Sequence, residues 1–194
     1  MINTIRLRTM IGWLGMLLPW LVALLVGEIP PSISSTYYTN ACATFMIVLG
    51  SASFLLMSYK GYEKIDDIIN TGAGISGLGI CLFPMYADLP RVGTFNLPPQ
   101  VSNILHMVFA VIFFGLLAYS SFFLFTKSDV KPEGKKKIRN IIYRICGVGM
   151  LAAFLLMLAP DFYIKVWLVE AIALFFFALS FLTKANCYKW LFCD

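Results

Sequence analysis

Apolar runs of membrane-spanning length alternate along the chain with short polar segments. The runs lie at about residues 10–26, 40–58, 68–86, 101–125, 141–158 and 164–183. A helix needs about 20 predominantly apolar residues to cross the hydrocarbon core of a bilayer, within a range of roughly 17 to 25. The pattern predicts an all-α fold in which six transmembrane helices form one bundle, a single transmembrane domain over residues 1–194.

A secretory signal peptide is the competing interpretation of the first run, because Arg6 and Arg8 precede it. The run is long for a signal peptide, contains Pro19 and ends in Gly-Glu-Ile-Pro-Pro without a small-residue cleavage site. We therefore expect an uncleaved first helix.

The distribution of Lys and Arg predicts the orientation of the chain in the membrane. An even number of spans leaves both termini on one side, and cytoplasmic loops accumulate basic residues. If that side also holds the middle loop (residues 126–139, TKSDVKPEGKKKIR), thirteen basic residues lie inside, and Arg91 and Lys165 are the two outside. The inside set is Arg6, Arg8, Lys60, Lys64, Lys127, Lys131, Lys135, Lys136, Lys137, Arg139, Arg144, Lys184 and Lys189. We expect cytoplasmic termini in a bacterial cytoplasmic (plasma) membrane.

Composition agrees with a membrane protein: 60% of the residues are hydrophobic, 13% are charged, and the mean hydropathy is +0.82. Soluble proteins average about 25% charged residues. The net charge of +5 is spread over short loops rather than one face, so no nucleic-acid partner is expected. The five cysteines show no disulfide or zinc-site spacing, and we expect neither a metal nor a cofactor.

The segment GAGISG, which begins at Gly72, formally matches a dinucleotide-binding pattern. That fingerprint requires a preceding strand and an acidic residue about 20 positions further on, whereas Leu97 occupies the corresponding position here. The alternative is helix packing through small residues. Gly72 with Ser76, and Ala73 with Gly77, are i, i+4 pairs that let a neighbouring helix approach closely.

Ionisable residues within the apolar runs predict an outward-facing polar pocket. His106 and Glu170 each lie about six residues from the outer end of a span, a depth of roughly 9 Å at the helical rise. We expect them to pair, with Ser34, Tyr37 and Tyr38 of the outer loop as further pocket residues. A purely structural hydrogen bond is the alternative, and boundary tyrosines are also typical of an aromatic belt.

Two further groups are predicted on the inner side. Tyr59, Asp66, Asp67 and Arg144 form a polar cluster, in which either aspartate is expected to pair with Arg144 across the helix ends. The basic run predicted to contact anionic lipid head groups is Lys135, Lys136, Lys137 and Arg139. Membrane lipids are therefore the expected partners, and a homo-oligomer or a protein partner stays open.

Several segments carry a family resemblance. They are SISSTYYTNACATF, SYKGYEKIDD, NTGAGISGLGICLFP, LHMVFAVIFFGLLAY and KKKIRNIIYRICG. In this order they resemble a family of uncharacterised bacterial six-span integral membrane proteins. More distantly, the S-I-S after the first span, Asn70 and His106 are similar to the DRAM-type six-span membrane proteins. That resemblance implies lipid-dependent regulation without established catalysis.

Three functions stay open. The leading hypothesis is a non-enzymatic membrane protein whose outer pocket binds a lipid or other amphiphile. The second is an oligomeric channel or membrane-disrupting effector, in which the polar residues would line a pore. The third, a membrane-embedded metal-dependent hydrolase, needs about three histidine ligands, and the chain contains one histidine.

Overall fold

The computed structural model describes residues 4–128, 133–157 and 166–186, and the chain is all-α in these ranges. The helices are α1 (Thr4–Val26), α2 (Cys42–Ser58), α3 (Lys64–Leu82), α4 (Pro99–Tyr119), α5 (Gly134–Met157) and α6 (Val166–Lys184). A 3-10 turn (Ser34–Tyr38) precedes α2, and a π-helical turn (Ser120–Leu124) continues α4. These ranges contain no β-strand, only an isolated bridge between Val92 and Leu97.

The six helices form a closed ring. Each packs against the next helix in the chain, and α6 packs back against α1. Large aromatic side chains fill the centre, where Phe113, Phe177 and Phe181 are almost completely buried. The outer surface is apolar as well, since Leu24, Ile104 and similar side chains are exposed. An apolar surface around the whole bundle is what a lipid environment requires.

Four of the helices are long and apolar enough to cross a membrane: α1, α4 with its π-helical turn, α5 and α6. The sequence pattern predicted six. The apolar helix α2 has 17 residues, so it is about 26 Å long against a hydrocarbon core of roughly 30 Å. The first turn of α3 carries Lys64, Asp66 and Asp67, which lower its apolar character.

Three helices begin earlier than the predicted spans because charged residues enter their first turns. The starts at Thr4, Lys64 and Gly134 lie six, four and seven residues before the predicted starts of the first, third and fifth spans. The end of the middle loop is therefore helical. In α3 the physical reason is Asp66, whose Oδ2 accepts the backbone N–H of Glu63 at 3.2 Å. A carboxylate there satisfies N–H groups at the positive end of the helix.

Proline residues limit the ends of α3 and α4 that face the segment between them. α3 ends at Leu82 rather than at the predicted residue 86, since Pro84 disfavours helical backbone in the residue before it. α4 begins with Pro99 in its first turn, where the missing N–H has no helical partner to lose.

Some predicted features lie outside the described residues. They are the junction between the fifth and sixth spans (158–165), Lys131, Lys165, Lys189, Cys187 and Cys193.

Candidate functional site

A cavity of about 240 Å³ lies inside the ring at the end that carries the loop between α1 and α2. We call it the outer cavity. Its polar lining residues are Ser32, Ser34, Asn103, His106 and Glu170. Its apolar lining includes Phe45, Leu49, Ala110, Phe113, Phe114 and Leu174.

Glu170 holds the loop between α1 and α2 against α6. Its carboxylate accepts the backbone N–H of Ile33, and the Ser34 hydroxyl donates to its other oxygen at 3.2 Å. One turn earlier in α6, the backbone N–H of Trp167 donates to the Pro31 carbonyl at 3.0 Å. The loop thus covers this end of α6 through backbone groups as well as side chains.

His106 and its neighbours in α4 hold the chain that follows α3. The His106 Nδ1 atom lies 2.8 Å from the Phe83 carbonyl oxygen, and the Ser102 hydroxyl donates to the Pro84 carbonyl at 2.7 Å. A carbonyl oxygen only accepts, so Nδ1 carries the hydrogen, and Nε2 is an acceptor when the ring is neutral. These bonds satisfy carbonyls that have no partner within α3.

The direct pairing of His106 with Glu170 is not formed. Both side chains line the outer cavity, yet each is bonded to a different backbone segment. Among residues 4–128, 133–157 and 166–186 no hydrogen bond or ion pair joins the two. Matching depth along two helices does not bring side chains into contact when a cavity lies between them.

The two predicted tyrosines lie outside the lining of the outer cavity. The Tyr38 hydroxyl donates to the Met85 carbonyl at 2.7 Å, and the Tyr37 ring packs edge-on against Tyr38 at 5.2 Å. Partial burial raises the pKa of both hydroxyls. They connect the loop between α1 and α2 to the segment after α3 and so support one side of the cavity.

At the opposite end of the bundle, the prediction that Asp66 or Asp67 pairs with Arg144 is wrong. Asp66 accepts from Lys127 Nζ at 3.2 Å, and Lys127 also pairs with Glu63 at 2.9 Å. Arg144 is exposed, with its guanidinium 5.9 Å from the centre of the Phe122 ring. The rotation of α5 turns Arg144 away from α3. The hydrogen bond to Glu63 raises the pKa of Lys127.

The other two predicted members of the polar cluster also have separate partners. The Asp67 carboxylate accepts the Gly61 N–H at 2.9 Å and shapes the turn before α3. The Tyr59 hydroxyl accepts from Arg8 Nη2 at 2.9 Å, and the guanidinium lies 5.2 Å from the Tyr59 ring centre. Burial raises the pKa of Tyr59, and the positive charge of Arg8 opposes that rise.

The small residues of α3 lie against its two neighbouring helices. A Cβ atom at Gly77 would stand 2.2 Å from Ser53 Oγ of α2, and one at Gly72 would stand 3.1 Å from Leu116 of α4. Ser76 is buried, and its hydroxyl bonds to the Gly72 carbonyl at 2.8 Å. The closest approach of α3 to a neighbouring backbone is at Gly74, which neither predicted i, i+4 pair included.

The predicted lipid-contacting residues divide into two pairs. Lys136 and Arg139 line a second cavity, whereas Lys135 and Lys137 lie outside its lining. Arg8 and Lys184 line the same cavity, and no sequence pattern indicated this because their helix ends lie far apart in the chain. No protein-family model, curated protein or solved structure matches the chain.

Proposed function

We propose that the protein is a non-enzymatic membrane protein that binds an amphiphile in the outer cavity. The arrangement of the cavity lining carries this proposal. Glu170 and His106 provide polar groups near the end of the bundle, while Leu174 and Phe113 continue the lining one and two helical turns further along the same helices. A lining that is polar at one end and apolar at the other is complementary to a head group joined to a hydrocarbon chain.

The polar groups favour a head group that donates hydrogen bonds. The Glu170 carboxylate is an acceptor, and neutral His106 with hydrogen on Nδ1 presents Nε2 as a second one. A hydroxyl or an ammonium group satisfies such acceptors, and a second carboxylate does not. The volume of about 240 Å³ lies just below the roughly 300–1,000 Å³ of drug-sized sites. We therefore expect the head group and the first part of one chain to enter.

The same proposal includes six membrane spans with both termini inside. Helices α2 and α3 occupy consecutive places in the ring between α1 and α4, both of which are long enough to span. Because the whole ring faces lipid, we expect α2 and α3 to cross the membrane alongside the other four helices. The excess of basic residues on the side of the middle loop supports a cytoplasmic position for it, in the cytoplasmic membrane of a bacterium.

Retention of monooleoylglycerol by detergent-purified protein, measured by native mass spectrometry, tests the proposal. Its glycerol head group donates two hydroxyl hydrogens, and methyl oleate offers the same chain without a donor. Ala110 lines the cavity and is buried, whereas the neighbouring Val111 is 48% exposed on the outer surface. We expect Ala110→Phe to abolish retention by filling the cavity and Val111→Phe to preserve it.

A comparison of the two lipids tests whether the head group must donate hydrogen bonds. Loss of a hydrogen bond to a charged acceptor corresponds to about 1.5–3 kcal/mol, or roughly tenfold to a hundredfold in affinity. We expect methyl oleate to bind more weakly than monooleoylglycerol by about that factor. Equal affinities for the two lipids, or equal losses in the Ala110 and Val111 variants, would refute the proposal. Ionic currents in reconstituted bilayers that Ala110→Phe abolishes would favour the channel hypothesis instead.

A further inference from the structure

A second cavity of about 490 Å³ lies at the opposite end of the bundle. We call it the inner cavity. It is lined by residues from α1, α5 and α6 and from the segments before α3 and after the π-helical turn. Its charged lining residues are Arg8, Glu63, Lys127, Lys136, Arg139 and Lys184.

The charge of the inner cavity is strongly positive. Five basic side chains and one carboxylate line it among the described residues, which leaves a formal charge of +4. The Lys127 ammonium is compensated by Glu63 and by Asp66, which stands just behind the lining. Counting Asp66 as well still leaves +3.

Among the residues that the structure describes, three of the other cations donate hydrogen bonds to neutral oxygens rather than to carboxylates. Arg8 donates to the Tyr59 hydroxyl at 2.9 Å and to the Lys184 carbonyl at 3.2 Å. Lys184 donates to the Phe125 carbonyl at 3.1 Å, and Lys136 donates to the Ser128 hydroxyl at 2.5 Å. Such bonds fix the position of a cation without cancelling its charge. The positive potential in the cavity therefore persists.

Aromatic rings fix two of these cations in place. The Lys184 ammonium lies 5.5 Å from the ring centre of Tyr62, 5.2 Å from that of Phe125 and 5.6 Å from that of Tyr143. The Arg8 guanidinium is held over Tyr59 in the same way. Rings at these distances attract a cation and restrict its movement. The cavity is consequently a preformed site, unlike a set of lysines extended into solvent.

We infer that the inner cavity binds a phosphomonoester. Arg8 and Arg139 bring guanidinium charges to the cavity, and Lys136 and Lys184 add compact ammonium charges that attract phosphate oxygens. A phosphomonoester carries about −1.5 to −2 charges near neutral pH, which suits a cavity of formal charge +3 to +4. The phosphate belongs either to a membrane-lipid head group or to a free small molecule. This site is separate from the outer cavity and does not depend on the function proposed for it.

Calorimetric titration of the purified full chain distinguishes the two sources. Glycerol 3-phosphate is the free probe, with glycerol as its control. Nanodiscs that contain phosphatidic acid provide the lipid probe, and phosphatidylcholine nanodiscs are its control. The second readout is the increase in melting temperature of the protein that each probe produces. We expect saturable binding of at least one phosphate-bearing probe. Binding of glycerol 3-phosphate alone identifies a free ligand, binding of phosphatidic acid alone identifies a head group, and binding of both identifies the shared group.

Matched variants on α5 separate the cavity from general surface charge. Lys136 and Arg139 line the cavity, and Lys137 carries the same charge as Lys136 on the same helix outside the lining. We expect Lys136→Gln and Arg139→Gln each to weaken binding about tenfold, since each removes a charge-assisted bond. Lys137→Gln should change affinity less than about twofold, the screened effect of a distant charge. Equal losses for Lys136→Gln and Lys137→Gln, or no saturable binding of either probe to the unmodified protein, would overturn the inference.

Discussion

Glu170 is an acidic residue in an otherwise apolar helix, and its surroundings explain why it is tolerated. The Ile33 N–H and the Ser34 hydroxyl donate to its two oxygens. Ile33 is 3% exposed, so water has little access to its backbone N–H. A buried polar group without a partner is strongly unfavourable. The carboxylate and the loop therefore satisfy each other.

Substitutions of Glu170 test whether the loop between α1 and α2 depends on its carboxylate for stability. Glu170→Leu leaves the buried Ile33 N–H without an acceptor, and we expect a loss of about 1–3 kcal/mol in the free energy of unfolding. Glu170→Gln keeps an acceptor oxygen, so its loss should be smaller. Thermal unfolding in detergent gives the comparison, with Glu28→Leu in the exposed part of the same loop as the control. Equal melting temperatures for Glu170→Leu and Glu28→Leu would contradict this account.

At the level of elements, α2 and α3 approach each other closely through glycine. A Cβ atom at Gly74 would stand 2.5 Å from the Ser53 carbonyl oxygen and 3.1 Å from the Met57 nitrogen, both backbone atoms of α2. A side-chain neighbour could rotate away, but a helix backbone moves only with the whole helix. Small residues let two helices pack tightly where lipid supplies no hydrophobic driving force between them.

Gly74→Ala should separate these two helices. We expect it to lower the free energy of unfolding by about 1–3 kcal/mol, the usual effect of overpacking. Gly115→Ala in α4 is the matched control, since a Cβ atom there has no neighbour within 4 Å. The control should be neutral or slightly stabilising because Ala favours helix over Gly. Equal melting shifts for the two variants would mean that α2 and α3 do not pack through Gly74.

On the scale of the whole molecule, two cavities of different chemistry lie at opposite ends of one ring. A series of aromatic contacts connects them, from Phe113 to Phe177 at 6.4 Å, to Phe181 at 5.0 Å and to Phe125 at 5.1 Å. Phe113 lines the outer cavity and Phe125 lines the inner one. The packed rings between them fill the centre of the bundle and separate the two cavities.

The predicted orientation requires the two ends to face opposite sides of the membrane. We expect Cys at position 133, immediately before α5, to be shielded from an impermeant maleimide in intact cells, because the basic middle loop is retained inside. Cys at position 88, in the exposed loop after α3, should react. Glu133→Cys and Asp88→Cys are separate variants, and each also carries Cys187→Ser and Cys193→Ser. Inverted vesicles should reverse the pattern, and labelling of position 133 in intact cells would contradict the orientation.

The sequence by itself determined the helical class of the chain and the approximate place of each helix. Apolar length and local charge are properties of neighbouring residues, so they can be read without knowing the packing. Its errors at Lys64 and Gly134 arose because charged residues can complete the first turn of a helix as well as form a loop. The equal depths of His106 and Glu170 were also readable, and both residues do line the outer cavity.

Only the tertiary structure decided which side chains meet. The rotation of each helix about its axis sets the direction of every side chain, and no pattern within one helix specifies that rotation relative to the others. This rotation directs Arg144 toward the surface and places Asp66 in an ion pair with Lys127. It also brought Arg8 to Lys184 across 176 positions of sequence. The inner cavity depends on that closure of the ring, because Arg8 of α1 and Lys184 of α6 both line it although these helices lie at opposite ends of the chain.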